Sequence, residues 1–205
     1  MRKSFPEFAG SEGRRVSGGG KSASSHEDSN QGRGHVDVSA IVESVLESSK
    51  VVSAATESSK VFVTTLSLLG GRKLWSKASR DSSEVHDAIV AGVPVRSMTH
   101  LVSEIKSVDE EDVAKVLGLS TRTLRRQAEK PEQLMAEDLA SKTWMLAETL
   151  ATAIEVFGSQ EEAERWLSSP VVALNGRRPI DLLRTLQGAS IVTDYLGRLE
   201  HGVYS

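Results

Sequence analysis

The sequence has no cysteine among its 205 residues. Disulfides, thiol catalysis and cysteine-based zinc sites are therefore excluded. No apolar run approaches the ~20 residues of a membrane-spanning helix, and no hydrophobic stretch follows the charges at the N-terminus, so we expect no secretory signal. Aromatic residues make up only 4% of the chain, which suits a helical protein built from Leu, Val, Ile and Ala. We expect a cytoplasmic protein.

The usual signatures of catalytic, metal and phosphate sites are also missing. The five histidines show no i, i+4 pairing with each other or with glutamate of the kind that holds a metal. Gly18–Ser22 is rich in glycine, but it lacks the first glycine and the preceding strand of a phosphate-binding loop. His201 stands beside Glu200 at a chain end, without an enclosing pocket to tune an acid–base pair. We predict no enzymatic activity, no cofactor and no metal.

A stretch from Glu110 to Lys130 has the spacing of a helix-turn-helix. Ala114 is small enough for a second helix to cross closely, Gly118 can adopt the positive φ of the turn, and Leu124 can seal the crossing. Either Ser120 or Thr121 can cap the second helix. The side chains predicted to bind DNA from that helix are Ser120, Thr121, Arg122, Arg125 and Arg126. The alternative is an ordinary helical bundle whose arginines only solvate a surface.

The charge of the chain limits how it could bind DNA. The net charge is −3, so any contact with DNA must come from a local patch. From Gly118 to Lys130, four basic residues stand against Glu129 alone, a local charge of +3. This patch is small, and we expect tight binding to require two copies, as in a homodimer.

The remainder of the chain predicts an all-α fold after a disordered arm. Residues 1–35 hold many glycines and serines and little to bury. Residues 36–69 are predicted to be helical, although 61–65 would suit a strand equally well. Of the other predicted helices, one starts at a Ser82 or Ser83 cap and ends at Gly92, and the next starts at Pro94. A long helix runs from about Leu134 to Phe157 and is stopped by Gly158, and another follows from a Ser159 capping box. A helix that starts at Pro179 is ended by Gly188, and a final helix over Ile191–Leu199 is stopped by Gly202.

The C-terminal third carries an ordered series of motifs: AxxVFG from Ala153, then AxxWLxxPxxALxGxxPxxLLxTxxG from Ala163, then LGRxExGVY from Leu196. This order resembles the toxin-binding domain of the Xre/MbcA/ParS antitoxin family. Upstream, AGVPVRSMTHL and LGLSTRTLRR resemble the Xre-type helix-turn-helix half of the same family. The resemblance covers roughly residues 66–205. One departure lies at Gln187–Ser190, where QGAS is followed by IVTDY rather than by the usual acidic and apolar run.

The resemblance implies an all-helical, dimerising antitoxin paired with a RES-domain toxin that destroys NAD. In this family the C-terminal segment fills the active-site cleft of the toxin, and the pair can repress its own promoter by binding operator DNA. Carried over to this sequence, the toxin-binding residues are Arg198, Glu200, His201, Gly202, Val203 and Tyr204. The alternative for this segment is local: Tyr204 folds back, and Arg198 pairs with Asp194 at i, i+4 spacing.

The predicted organisation has four parts: 1–35, a disordered arm; 36–69, a variable N-terminal extension; 70–135, an Xre-like helix-turn-helix domain; and 136–205, a small helical toxin-binding domain. The leading hypothesis for function is the antitoxin of a RES-domain toxin. The competing hypotheses are a stand-alone helix-turn-helix regulator whose C-terminal domain only dimerises, and a helical scaffold without DNA or toxin.

Overall fold

The computed structural model describes residues 43, 46–47, 58–75, 81–200 and 202. Within these ranges the regular elements are helices, joined by turns and two isolated bridges, which confirms the predicted all-α fold. Residues 43, 46 and 47 are helical, and the described helical stretch 58–68 is called α1. The others are α2 Ser82–Ala91, α3 Val95–Glu104, α4 Glu110–Val116, α5 Thr121–Ala128, α6 Glu137–Phe157, α7 Gln160–Ser168, α8 Pro179–Leu182 and α9 Leu186–Glu200, with a 3-10 turn at Val172–Leu174. None of them has the length and apolar character needed to cross a membrane.

Helix α1 settles the open choice at residues 61–65. The strand alternative is wrong, because Phe62, Leu66 and Leu69 repeat at helical spacing and are all buried on one face. The Thr65 hydroxyl donates to the Val61 carbonyl within the same helix, at 2.8 Å. The predicted disordered arm and most of the predicted extension lie outside the described residues.

Three helix starts differ from the prediction, and one of them is that of α9, which begins at Leu186 rather than at Ile191. The cap of α2 is Asp81 rather than Ser82 or Ser83, because its carboxylate accepts the amide of Ser83 at 2.9 Å. Helix α6 begins at Glu137 rather than near Leu134. The Met135 amide donates to the Val93 carbonyl at 2.8 Å, which holds this segment extended against the α2–α3 loop.

A further difference is at Gly188, which does not end a helix. Helix α8 stops after Leu182, and Gly188 lies in the first turn of α9. The Thr185 hydroxyl accepts the Gly188 amide at 3.1 Å, so Thr185 caps the new helix. A Cβ at Gly188 would lie 2.0 Å from the Leu182 carbonyl oxygen. Position 188 therefore requires glycine, because the Leu182 backbone occupies the space that a Cβ would need.

The core of the molecule is shared by the N-terminal and C-terminal helices. Helix α6 packs against α2 and α3 as well as α7 and α9. Near its N-terminal end, Trp144 contacts Trp75 with ring centroids 4.9 Å apart, while Leu150 and Ala151 are fully buried further along. The Trp75 indole donates to the Ser97 hydroxyl at 2.7 Å, so α3 is tied to the same cluster. One continuous core therefore supports both candidate surfaces.

Candidate functional site

The predicted turn between α4 and α5 is present. Gly118 has a φ of +73°, and the Leu119 amide donates to the Ala114 carbonyl at 2.8 Å, which closes the end of α4. Ala114 and Leu124 are buried where the helices cross. Helix α5, the recognition helix of this motif, packs against both α3 and α4. The structure thus has the helix-turn-helix geometry expected from the spacing.

The predicted DNA-binding residues separate into different roles. The Ser120 hydroxyl accepts the Thr123 amide at 3.1 Å, so Ser120 is the cap of α5. Thr121 is half-buried at the first position of the helix. Arg122 and Arg126 are exposed, and neither makes an ion pair with another described residue. These two guanidinium groups are available to a partner.

Arg125 is exposed but already paired. Its Nε and Nη2 atoms donate to Oε1 and Oε2 of Glu110, at 3.0 and 2.9 Å. The hydrogen bonds from Arg125 lower the pKa of Glu110, and the carboxylate raises the pKa of Arg125 in turn. Sequence reasoning missed this contact, because the partners are fifteen positions apart and meet only through the turn.

The second predicted surface begins on α9. Val192 and Leu196 are fully buried and hold the helix against the core. On its outer side, the Tyr195 ring stacks on Trp166 with centroids 6.2 Å apart, and the Arg198 guanidinium lies 5.7 Å from the Tyr195 centroid. The alternative pairing of Arg198 with Asp194 is not formed.

The end of α9 is exposed. Glu200 is exposed, and Gly202 takes a φ of +65° with its amide 3.3 Å from the Leu199 carbonyl. Gly202 is therefore the predicted helix stop. His201, Val203 and Tyr204 lie outside the described residues. Of the six predicted toxin-binding residues, the structure describes Arg198, Glu200 and Gly202.

Two polar contacts connect the helix-turn-helix with the C-terminal helices. Arg178 donates from Nη1 to Asp112 of α4 at 2.9 Å, and from Nε and Nη2 to Asp181, each at 2.8 Å. Burial acts to raise the pKa of Asp112, but hydrogen bonds from Arg178 and Lys115 outweigh it, so the pKa is lowered overall. Sequence reasoning missed this pair, since its members are 66 positions apart.

The other connection is a buried carboxylate on α7. Glu164 is 1% exposed, and one of its oxygens accepts the backbone amides of Lys106 and Ser107 between α3 and α4. Its second oxygen accepts a hydrogen bond from the side-chain Nε2 of Gln160 at 2.7 Å. A carboxylate with this many donors is satisfied within the fold. Glu164 therefore fixes the loop that precedes the helix-turn-helix.

Two stretches of the chain match known domain families. Residues 84–141 match the Antitoxin Xre-like helix-turn-helix domain, and residues 152–202 match the Antitoxin Xre/MbcA/ParS C-terminal toxin-binding domain. Antitoxin Xre of Yersinia enterocolitica is 32% identical over 141 residues, which cover 65% of this chain and 92% of that protein. The chain belongs to the Xre/MbcA/ParS antitoxin family.

Two further proteins are similar to this antitoxin at lower sequence identity. The Prs ADP-ribosylating antitoxin of Sphingobium sp. (strain YBL2) is 28% identical over 125 residues, covering 57% of this chain and 78% of that protein. The crystal structure of the M. tuberculosis MbcT–MbcA toxin–antitoxin complex contains a chain that is 24% identical, with a TM-score of 0.40. The match covers 54% of this chain and 97% of that chain.

Family membership fixes the general role. The protein is an antitoxin of a toxin–antitoxin system with a helix-turn-helix domain followed by a toxin-binding domain. Members of this family are antitoxins and regulators, so the prediction that the protein is not an enzyme is confirmed. Among the residues that the structure describes, no three histidine or acidic side chains are grouped to hold a metal ion.

Proposed function

We propose that this antitoxin neutralises a RES-domain, NAD-degrading toxin by placing its C-terminal segment in the toxin's active-site cleft. The supporting observation is the exposed end of α9 within the matched toxin-binding domain. Val192 and Leu196 anchor the helix, whereas Glu200 and Gly202 are exposed at its end. A segment extending from an anchored helix loses less entropy on binding than a free peptide.

The proposed toxin-binding residues are those that the family resemblance indicates. Arg198 supplies a cation, and the residues after Gly202 include the aromatic side chain of Tyr204. These groups match a cleft that otherwise binds a dinucleotide, because phosphates attract guanidinium and a base stacks on an aromatic ring. The name of the Sphingobium relative refers to ADP-ribosylation, which also consumes NAD. The toxin class we propose is therefore one that uses NAD.

Deletion of residues 202–205 tests the occlusion. We expect the shortened antitoxin to lose protection when it is co-expressed with the toxin from the neighbouring reading frame, because the cleft is left open. Growth and cellular NAD report protection, and a mobility shift on upstream DNA should remain as in wild type. Full protection by the shortened protein would overturn the occlusion mechanism.

Point substitutions separate the C-terminal segment from general effects of charge. Arg198→Ala should weaken protection, whereas Arg184→Ala should not. Arg184 is a matched control, since it is an exposed arginine of the same domain with no ion pair to another described residue. Equal loss with both substitutions would indicate non-specific electrostatics rather than a defined contact.

We further propose that the antitoxin represses its own operon as a homodimer, with the recognition helix on operator DNA. Arg122 and Arg126 are the proposed phosphate-contacting residues, because both are exposed on α5 and neither pairs with another residue in the described part of the chain. A small patch in a chain of net charge −3 gives few contacts per copy, so two copies are needed for tight binding.

Replacing Arg122 and Arg126 together with alanine tests the DNA contact. The slope of log K against log salt concentration should become shallower by about 0.9 for each lost phosphate contact. In the double variant the slope should therefore become shallower by about 2. Electrophoretic mobility shifts over a salt series measure this slope. Arg165→Ala is the control, because Arg165 is an exposed arginine on α7 paired with Glu161 and Glu162. An unchanged slope in the double variant would exclude these contacts.

The second candidate is a regulator without a toxin, whose C-terminal domain only dimerises. Exposed aliphatic side chains at Val172, Leu186 and Ile191 support it, since a second copy could cover them. An operator shift combined with the absence of any co-purifying toxin from the native host would favour this candidate.

The cytoplasmic location and the domain limits at 35/36, 69/70 and 135/136 stay predictions.

A further inference from the structure

The acidic first turn of α4 lies close to the recognition helix and contacts one of its arginines. Glu110 receives two hydrogen bonds from Arg125, 2.9 and 3.0 Å long, on the exposed side of the motif. We propose that Glu110 competes with DNA phosphate for Arg125 and thereby lowers the affinity of the recognition helix for the DNA backbone. This inference rests on the DNA-binding part of the proposed function.

The geometry of the pair matches the geometry of phosphate binding. Arginine presents its guanidinium as a planar fork, and a carboxylate and a phosphate both accept it through two parallel hydrogen bonds. Two donors of Arg125, Nε and Nη2, are occupied by Glu110. A phosphate can therefore bind the Nε and Nη2 side of the guanidinium through two parallel hydrogen bonds only after the carboxylate leaves.

The exposure of the pair allows that exchange. The side chain of Arg125 is 73% exposed and that of Glu110 39% exposed. Ion pairs in water contribute little to stability, so Arg125 can leave Glu110 without disturbing the fold. The carboxylate would remain beside the recognition helix, where it repels an approaching phosphate. Both effects oppose binding to DNA of any sequence.

The neighbouring acids have other partners. Glu111 pairs with Lys115 at 2.9 Å, and Asp112 pairs with Lys115 and Arg178. Among the acids of this turn, only Glu110 holds a cation of the recognition helix. Glu111 therefore offers a matched control, because it has the same charge, side chain and helical turn but no hydrogen bond or ion pair to the described residues of α5.

The test compares Glu110→Gln with Glu111→Gln in the full-length chain, using a duplex of unrelated sequence and a salt series. We expect Glu110→Gln to bind roughly 3–10 times more tightly than wild type at low salt, with a salt slope steeper by about 0.9 for one added phosphate contact. Glu111→Gln should show a smaller gain and an unchanged slope. In an Arg125→Gln background, the gain from Glu110→Gln should fall to the smaller gain of Glu111→Gln, and the salt slope should no longer change.

Three other results would contradict the inference, each for a different reason. Equal gains in the two glutamine variants would mean that only the net charge matters. Weaker binding by Glu110→Gln would mean that Glu110 positions Arg125 for DNA. If neither wild type nor Glu110→Gln binds DNA at low salt, the inference fails together with the DNA part of the proposed function. Protection against the toxin, measured separately with the same variants, shows whether the neutralising part still stands.

Discussion

At the scale of single residues, two glycines of α9 have opposite surroundings. Gly188 faces the backbone of Leu182, and a Cβ there would lie 2.0 Å from the carbonyl oxygen and 2.7 Å from the carbonyl carbon. Gly197, nine positions further along the same helix, has no described atom outside the helix's own backbone within 4 Å of an added Cβ. The first glycine is required by packing, while the second only lowers the intrinsic stability of the helix.

Alanine at these two positions should therefore change stability in opposite directions. We expect Gly188→Ala to lower the free energy of unfolding by about 2 kcal/mol or more. The reason is that the added Cβ would collide with the Leu182 backbone, so that α8 and α9 must move apart. Gly197→Ala should raise the free energy by about 0.5–1 kcal/mol. Urea unfolding followed by circular dichroism measures both. A neutral Gly188→Ala would show that α8 and α9 can separate without cost.

At the scale of elements, local sequence rules predicted the C-terminal ends of three helices, where a glycine follows, but not the Asp81 cap of α2. Gly118, Gly158 and Gly202 all adopt positive φ at the positions expected from the sequence. The rules failed where a distant segment intervenes, since the Met135 amide is taken by Val93 and α6 cannot begin at Leu134. Glycine at 188 looked like a helix end because sequence alone does not show the approach of Leu182.

The features of the candidate surfaces that local sequence determines could also be predicted, whereas those that depend on contacts between helices could not. The exposure of Arg122 and Arg126 could be predicted, because the turn motif fixes which face of α5 is buried. The pairing of Arg125 with Glu110 could not, because residues from two helices meet there at a crossing whose geometry the sequence does not give. The toxin-binding surface was predicted by resemblance to a family, and no physical rule of spacing would have identified Arg198 alone.

At the scale of the whole molecule, the DNA-binding and toxin-binding parts share structure. Helix α6 packs on both, and Arg178 of the C-terminal part reaches the largely buried Asp112 of α4. Removal of one partner leaves the other charge poorly solvated, which costs more than the pair contributes. The contact therefore makes the two parts mutually dependent for stability.

Asp112→Asn tests this dependence, and the effect should vary with pH. We expect a loss of about 1–2 kcal/mol in the free energy of unfolding at neutral pH, less than for a fully buried pair because Arg178 is one-third exposed. The pKa of Asp112 is lowered from its ordinary value of 3.8 in the folded state. The advantage of wild type should therefore be complete above pH 3.8 and disappear as the pH falls through the lowered value.

Chemical denaturation over a pH series measures this difference between wild type and Asp112→Asn. Asp138→Asn is the control, because Asp138 is 79% exposed and pairs only with Lys142, so its loss should stay within about 0.5 kcal/mol. A difference between wild type and Asp112→Asn that did not change with pH would mean that the charge of Asp112 is not what stabilises the junction.

The shared helix α6 also limits how such antitoxins can be recombined. The buried side chains of α6 pack both against Trp75 on the N-terminal side and against the helices that follow Gly158. A chimaera that joins the N-terminal half of one antitoxin to the C-terminal half of another must divide this helix or take it whole from one parent. Either choice packs one face of α6 against a core from the other parent. We therefore expect exposed residues of α9, the proposed toxin-binding helix, to be easier to exchange than entire domains.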